Sequence, residues 1–200
     1  MNYHFMGYYF TETQLIVASV VVVVVLLVAV GLFVERRRIR TRAFRIRFGS
    51  EYDRAVVKHG SARQAEAKLA DRETRVEALN IRDLGATERE RFVTEWYTVQ
   101  SRFVDHPKAA AIEADDLINS LLEARGYPRA GFEQRAADVS VRYPLVMENY
   151  RLAHSIAVRV GHLGQAEATT EELRTAMIQY RAIFDDLLQA QTPSEVRAAA

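Results

Sequence analysis

Twenty consecutive residues without a charge, Leu15 to Val34 ("LIVASVVVVVVLLVAVGLFV"), constrain this chain more than any other feature. As an α-helix this segment would be about 30 Å long, which matches the hydrocarbon thickness of a bilayer. A cleaved signal peptide would carry cations before a shorter apolar stretch. Here the first 14 residues contain no Lys or Arg. We therefore predict a retained transmembrane helix over residues 15–34, preceded by a short tail over residues 1–14.

The apolar run is followed at once by a cluster of arginines. Within the basic juxtamembrane segment 35–49 the cations are Arg36, Arg37, Arg38, Arg40, Arg42, Arg45 and Arg47. Lys and Arg beside a membrane span are retained on the cytoplasmic side. This asymmetry predicts that the N-terminal tail is extracytoplasmic and that the remainder of the chain is cytoplasmic. We also expect these arginines to contact anionic lipid headgroups.

The rest of the chain has the opposite charge. Beyond Arg47 there are 20 basic and 24 acidic residues, a net charge of −4. A mildly acidic body does not favour nucleic-acid binding, so we expect no nucleic-acid partner unless the arginine segment supplies one. The chain contains no cysteine, which excludes disulfides, thiolate catalysis and Cys-ligated metal sites.

The region just after the arginines is predicted to be helical and thinly packed. Gly49-Ser50 and Gly60-Ser61 can each end one helix and cap the next, and they bracket a short helix over Glu51 to His59. The helix that follows, "ARQAEAKLADRETRVEAL", carries a narrow apolar stripe interrupted by Arg72. We therefore expect residues 50–86 to form stalk-like helices, and any homo-oligomer to form through Ala62 to Leu79.

Residues 87–190 have the pattern of a helical bundle. Thr87 and Glu90 suggest a capping box, as do Thr169 and Glu172, and Pro107 and Pro144 suit the first turns of two further helices. Each predicted helix has one apolar face, so the helices can bury one another. The predicted fold class is all-α, with one N-terminal transmembrane helix followed by a cytoplasmic helical bundle and a flexible tail over residues 191–200.

Several short phrases of the body carry a family resemblance. These are "FGSEYDRAV", "RGYP", "FEQRAADVSV" and "ENYRLAH", within about Phe48 to Leu188. Through them the chain resembles an uncharacterised family of bacterial single-pass membrane-anchored helical proteins, common in high-GC bacteria. The resemblance implies a bacterial inner (plasma) membrane location. It brings no established activity and no functional residue.

The ionisable residues form no recognised catalytic or metal-binding motif. No histidine falls in an HExxH or comparable metal-ligand pattern, and no phosphate-binding glycine loop or nucleophile elbow is present. Asp115, Asp116 and His154 are the best candidates for acid–base or metal chemistry. We expect the carboxylates to be solvated, the histidine to be packed and Trp96 to belong to the core. We therefore assign no catalytic residue, no metal ligand and no cofactor.

A polar cluster around a predicted turn near Asp138 has two interpretations. It can be a buried ion-pair network that ties two helices together, or a surface that contacts a partner. The candidate partner surface consists of Glu133, Arg135, Arg142 and Tyr143.

Three functions remain open from sequence. The first is a non-enzymatic, membrane-tethered helical interaction or scaffold protein at the cytoplasmic face, with the bilayer and an unidentified protein as partners. The second is a membrane-bound metal-dependent hydrolase. The third is an anionic-lipid or nucleic-acid binder acting through Arg36 to Arg47.

Overall fold

The computed structural model describes residues 3–5, 8–10, 12–162 and 168–189, so the tail predicted for residues 191–200 lies outside the described residues. The all-α class, with a long apolar N-terminal helix and a helical region after it, is confirmed. The elements are β1 (Tyr3–Phe5), β2 (Tyr8–Phe10), α1 (Glu12–Phe48), α2 (Ser50–His59), α3 (Ala62–Glu77), α4 (Ala86–Arg102), α5 (Pro107–Ala124), α6 (Phe132–Val139), a 3-10 turn (Pro144–Val146), α7 (Met147–His162) and α8 (Thr170–Leu188).

The chain divides into two compact units, Met1–Ala43 and Phe44–Ala200. The first unit holds most of α1, whose apolar part is long and apolar enough to span a membrane, with a mean hydropathy of 3.3 over an 18-residue window. None of that window is buried, and every side chain from Ile16 to Val34 is exposed. A helix that is apolar all round needs an apolar environment.

The first unit also contains a short hairpin that the sequence did not predict. In it β1 and β2 pair antiparallel, with Tyr3 opposite Phe10 and Phe5 opposite Tyr8.

The arginine-rich joint is helical up to the predicted break. In the sequence Phe44, Ile46 and Phe48 alternate with arginines as in a strand, yet α1 continues to Phe48. Gly49 then adopts a φ of 49°, in the left-handed region that favours glycine, and α2 begins at Ser50. The helix break expected at Gly49-Ser50 is therefore confirmed.

Most predicted helix starts are confirmed and two are shifted, since Pro144 opens the 3-10 turn and α7 begins only at Met147. Thr169 caps α8, where its hydroxyl accepts a hydrogen bond from the Glu172 amide at 3.2 Å and the Glu172 carboxylate accepts one from the Thr169 amide at 2.8 Å. For α4 the capping box predicted at Thr87 is wrong, because the helix starts at Ala86. There the Glu88 carboxylate accepts from the Gly85 amide at 3.0 Å, so a glycine takes the capping position.

The main core of the second unit lies among α4, α5, α7 and α8. α7 packs against α8 and α5, and α5 also packs against α4 and α8. The stripes predicted from helical spacing face inward, and the largest fully buried apolar side chains in this core are Phe92, Ile118, Leu121, Leu122, Met147, Tyr150, Tyr180 and Phe184.

A second, smaller core involves the helices that we expected to be stalk-like. Phe48, Tyr52 and Ala55 pack with Ala65 and Leu69, all of them nearly inaccessible to solvent. α2 and α3 pack against each other, α3 also contacts α6, and α2 contacts α7. Residues 50–86 are thus part of the second unit rather than a separate stalk. The same packing covers the apolar seam through which we expected an oligomer to form.

Candidate functional site

The polar cluster near Asp138 belongs to an ion-pair network between helices. At its centre is Glu51 in the first turn of α2, whose side chain is 2% exposed. Arg151 of α7 donates hydrogen bonds to both Glu51 oxygens, from Nε at 2.8 Å and from Nη2 at 3.2 Å. Nη1 of Arg151 donates to both oxygens of Glu133 on α6, each at 3.0 Å. Burial opposes the charge of Arg151, but its bonds to Glu51 and Glu133 prevail and raise its pKa.

A second carboxylate of the network, Asp138, is also buried. Its side chain is 2% exposed and accepts hydrogen bonds from the guanidinium of Arg75, with Nε at 2.9 Å. The amide of Gln134, one turn earlier on α6, donates to the same carboxylate at 3.0 and 3.1 Å. A buried charge is tolerated only with such partners, so this pair ties α3 to α6.

The structure therefore separates the residues of the candidate partner surface. Glu133 is exposed but engaged by Arg151, and Arg135 donates to the carbonyl of Ala130 at 3.2 Å. Arg142 is half-buried. Tyr143 is 5% exposed and belongs to the main core, where burial raises its pKa, so it offers no surface to a partner. The network interpretation accounts for more of the cluster than the surface interpretation does.

The arginine segment is also divided between two environments. Arg36, Arg37, Arg38, Arg40 and Arg42 lie on the exposed part of α1. Arg47, by contrast, pairs with Glu73 of α3 at 2.7 Å, although burial of that carboxylate raises its pKa.

Arg45 lies within 3.6 Å of Asp53 and over the ring of Tyr52 at 5.5 Å. Together with the Arg47 pair, this contact places the last two of the seven arginines beside α2 and α3, although the Arg45 side chain is still 66% exposed.

A third polar group joins α5, α7 and α8. Oδ1 of Asp115 lies 2.9 Å from Nδ1 of His154 and accepts a hydrogen bond from the Tyr180 hydroxyl at 2.8 Å. Because an ionised carboxylate only accepts, Nδ1 of His154 carries the proton. The ring of Phe132 stacks on the imidazole with centroids 3.6 Å apart. Burial, with the adjacent Asp115 carboxylate, raises the pKa of Tyr180.

From the sequence, Asp115, Asp116 and His154 were the candidates for acid–base or metal chemistry. The structure brings only Asp115 and His154 together. Asp116 points to the surface side of α5, where partial burial and the Asp115 charge raise its pKa. The described residues hold no group of three or more His, Asp or Glu side chains placed to bind a metal ion. An aspartate that fixes the tautomer of a histidine is an arrangement used in acid–base chemistry.

Tyr180 was missed because the sequence shows it only as one member of the apolar stripe of α8. Its hydrogen bond to Asp115 joins residues 65 positions apart, which no local pattern reveals. Trp96, in contrast, lies in the core as predicted, stacked on Phe184 with centroids 4.8 Å apart.

No protein-family model matches the chain, and no curated protein or solved structure shows a significant similarity to it. The resemblance in "RGYP" and the related phrases therefore stays a prediction.

Proposed function

We propose that the protein is a membrane-tethered helical interaction module at the cytoplasmic face of the bacterial inner membrane. The main support for the tether is that every side chain of α1 from Ile16 to Val34 is exposed, although most of them are apolar. Isolated from lipid, this surface would expose far more contiguous apolar area than soluble proteins tolerate. The arginines that follow support an orientation with the N-terminus outside.

Lipid contact would reinforce the tether. Each Lys or Arg near an anionic leaflet contributes about 1 kcal/mol. Arg36, Arg37, Arg38 and Arg42 lie on the exposed part of α1, whereas Arg45 and Arg47 are engaged by α2 and α3. We therefore expect these four exposed arginines to carry most of the attraction to anionic headgroups.

The interaction surface best suited to a protein partner is a groove between α4 and α8. It encloses a cavity of about 480 Å³. Its lining consists of Trp96, Gln100, Phe103, Arg174, Met177, Ile178 and Arg181. Ile178 is 60% exposed although it is a large aliphatic residue. Two arginines beside an apolar floor favour a partner segment that presents an apolar residue next to a carboxylate.

Site-specific photo-crosslinking tests this surface in cells. A p-benzoylphenylalanine at Ile178 should capture one partner protein, whereas the same residue at Leu145, which is exposed but outside the groove, should not. Charge reversal by Arg174→Glu should abolish the capture, because it would repel the expected carboxylate. Capture of a second copy of this chain, or capture that persists in Arg174→Glu, would contradict the proposed partner chemistry.

A second candidate function, a membrane-bound metal-dependent hydrolase, is favoured by one observation. This is the 2.9 Å contact between Asp115 and His154, which gives the histidine a fixed tautomer beside a carboxylate. Metal retained at equimolar amounts by the purified full chain and lost in Asp115→Asn would support it. A metal-free protein with unchanged stability after addition of Zn²⁺ or Mn²⁺ would count against it.

The third candidate, a lipid or nucleic-acid binder, depends on the exposed arginines of α1. Anionic headgroups held beside the span would have to be displaced before nucleic acid could bind. The full chain in vesicles of phosphatidylglycerol and phosphatidylcholine should not retain added DNA. Retention of DNA that is lost when Arg36, Arg37 and Arg38 are replaced by Gln would favour the nucleic-acid function instead.

A further inference from the structure

A basic cavity of about 420 Å³ lies between α2, α3, α6 and α7. Its cations recur at helical spacing on two neighbouring helices. Arg54 and Lys58 are one turn apart on α2, and Lys68, Arg72 and Arg75 follow one face of α3. Because α2 and α3 pack against each other, both rows of cations face the same space. The volume is within the range of small-molecule sites.

The charge in this cavity is opposite to that of the domain around it. Its lining contains six Lys or Arg side chains, together with His59, against the two carboxylates of Asp71 and Glu133. The buried Glu51 and Asp138 beneath it add two negative charges, which still leaves a net charge of +2. Beyond Arg47 the chain as a whole has a net charge of −4. A local excess of cations in an acidic domain attracts anions specifically to this cavity.

Some of these cations already pair with carboxylates, whereas others have N–H donors that make no hydrogen bond within the described residues. Arg151 and Arg75 are engaged by Glu51, Glu133 and Asp138, as described above. Arg72 differs, because its side chain is only 14% exposed while its nearest carboxylate oxygen, on Glu51, is 3.9 Å from Nη1. That distance is too long for a hydrogen bond, and the buried Nη1 has no hydrogen-bond partner among the described residues.

The charges around Arg72 also favour the binding of an anion beside it. Burial lowers its pKa, the charge of Glu51 acts in the opposite direction, and the nearby Arg151 and Arg75 lower it further. Lys58 is exposed on the opposite helix and has no hydrogen bond or ion pair within the part of the chain that the structure describes. An anion in the cavity would relieve the repulsion at Arg72 and give Lys58 a partner.

We propose that this cavity binds a phosphate group, with Arg72, Arg54 and Lys58 as its main ligands. A guanidinium matches the oxygens of a phosphate bidentately, and a lysine contributes a mobile point charge. The phosphate can belong to inorganic phosphate or a free phosphate monoester, or to the headgroup of phosphatidic acid. The proposal does not depend on the proposed partner groove, since the two sites share no residue.

Titration of the full chain tests the proposal. The protein is placed in phosphatidylcholine nanodiscs and titrated calorimetrically with sodium phosphate, with sodium chloride at matched ionic strength as the reference. Saturable binding of phosphate alone is expected. Arg72→Gln should weaken it about tenfold or more, as expected for loss of a charge-assisted contact. Lys58→Gln should weaken it severalfold, whereas Lys108→Gln, an exposed lysine on α5 that does not line the cavity, should leave it unchanged.

Lys58→Gln protects the test against misfolding, because Lys58 is exposed and makes no contact that the fold requires. Repeating the titration in nanodiscs that contain phosphatidic acid identifies the source of the phosphate. Weaker apparent binding of inorganic phosphate in these nanodiscs, overcome at high phosphate concentration, assigns the site to the headgroup. An unchanged affinity assigns it to a free phosphate. Absence of saturable binding, or equal affinities in Lys58→Gln, Arg72→Gln and Lys108→Gln, would overturn the proposal.

Discussion

Among the described residues Arg125 is the most deeply buried charge, with 1% of its side chain exposed. Its Nη1 donates to the carbonyl oxygen of Leu187 at 2.6 Å, and its Nη2 donates to Asp83 at 3.1 Å. The Leu187 carbonyl lies in the last turn of α8, where helical carbonyls have no partner within the helix. A cation there also interacts favourably with the helix dipole. Arg125 therefore caps the C-terminal end of α8 and joins it to the residues that follow α5.

Replacement of Arg125 by Met retains an apolar stem and removes both donors. Loss of a charge-assisted hydrogen bond to a buried carbonyl costs about 1.5–3 kcal/mol. The contact with Asp83 adds a few tenths of a kcal/mol at most, because that carboxylate is 51% exposed. Relief of the buried charge offsets part of the loss. We expect a net destabilisation of about 2 kcal/mol, which corresponds to a fall in Tm of about 4–8 °C for a domain of this size.

Fluorescence of Trp96 is the appropriate assay, because it is the only tryptophan and it is packed on Phe184 in the main core. Helicity measured by circular dichroism would include the 37 residues of α1, which lie mostly outside the unit whose unfolding is measured. Arg129→Met is the matched control, since Arg129 is 85% exposed and pairs with Glu123 at the surface. If Arg125→Met and Arg129→Met unfold within 1 °C of each other, on the order of 0.3 kcal/mol, the buried bond to α8 has no energetic role.

Three further substitutions test other parts of the fold by the same fluorescence assay. Gly126→Ala should cost about 2 kcal/mol or more, because Gly126 has a φ of 94° and a Cβ there would lie 2.5 Å from the backbone oxygen of Asn80; an unchanged Tm would refute that packing. Leu69→Ala should cost about 2–5 kcal/mol if α3 belongs to the core, and well under 1 kcal/mol if it is a stalk. Asp116→Asn should stabilise the domain at pH 7. The pKa of Asp116 is raised in the folded state, so its ionisation at pH 7 favours unfolding, and the substitution removes this effect. The gain in stability should shrink as the pH falls through the folded-state pKa. A gain that stays constant down to pH 3 would contradict this origin.

The elements that sequence predicted well are those determined by local patterns. The uncharged run gives the long apolar helix, Gly49 gives the break after Phe48, and Thr169 with Glu172 gives the start of α8. The first depends on one unbroken run of sequence, and the other two depend on residues within four positions of one another, where propensity and capping chemistry act. The start of α4 shows the limit of this reasoning. Its N-cap residue is Gly85, which has no side chain to give a capping signal, and the Glu88 carboxylate accepts a hydrogen bond from the Gly85 amide instead.

The polar networks could not be predicted because their partners are far apart in sequence. Arg151 and Glu51 are 100 residues apart, and Arg75 and Asp138 are 63 apart. In isolation Arg72 and Arg75 look like solvated residues on a thinly apolar helix, which is why α3 was expected to be stalk-like. Buried partners on α2, α6 and α7 change that interpretation, and only tertiary packing supplies them.

Membrane insertion with the N-terminus outside is the central claim, and the cysteine-free chain allows a direct measurement of it. Single cysteines are introduced by Asn2→Cys at the N-terminus and by Ser101→Cys at an exposed position of the helical domain. Intact spheroplasts are then treated with a membrane-impermeant maleimide. We predict labelling of Asn2→Cys in intact cells and of Ser101→Cys only after lysis. Labelling of Ser101→Cys in intact cells, or recovery of the unlabelled protein in the soluble fraction, would contradict the account.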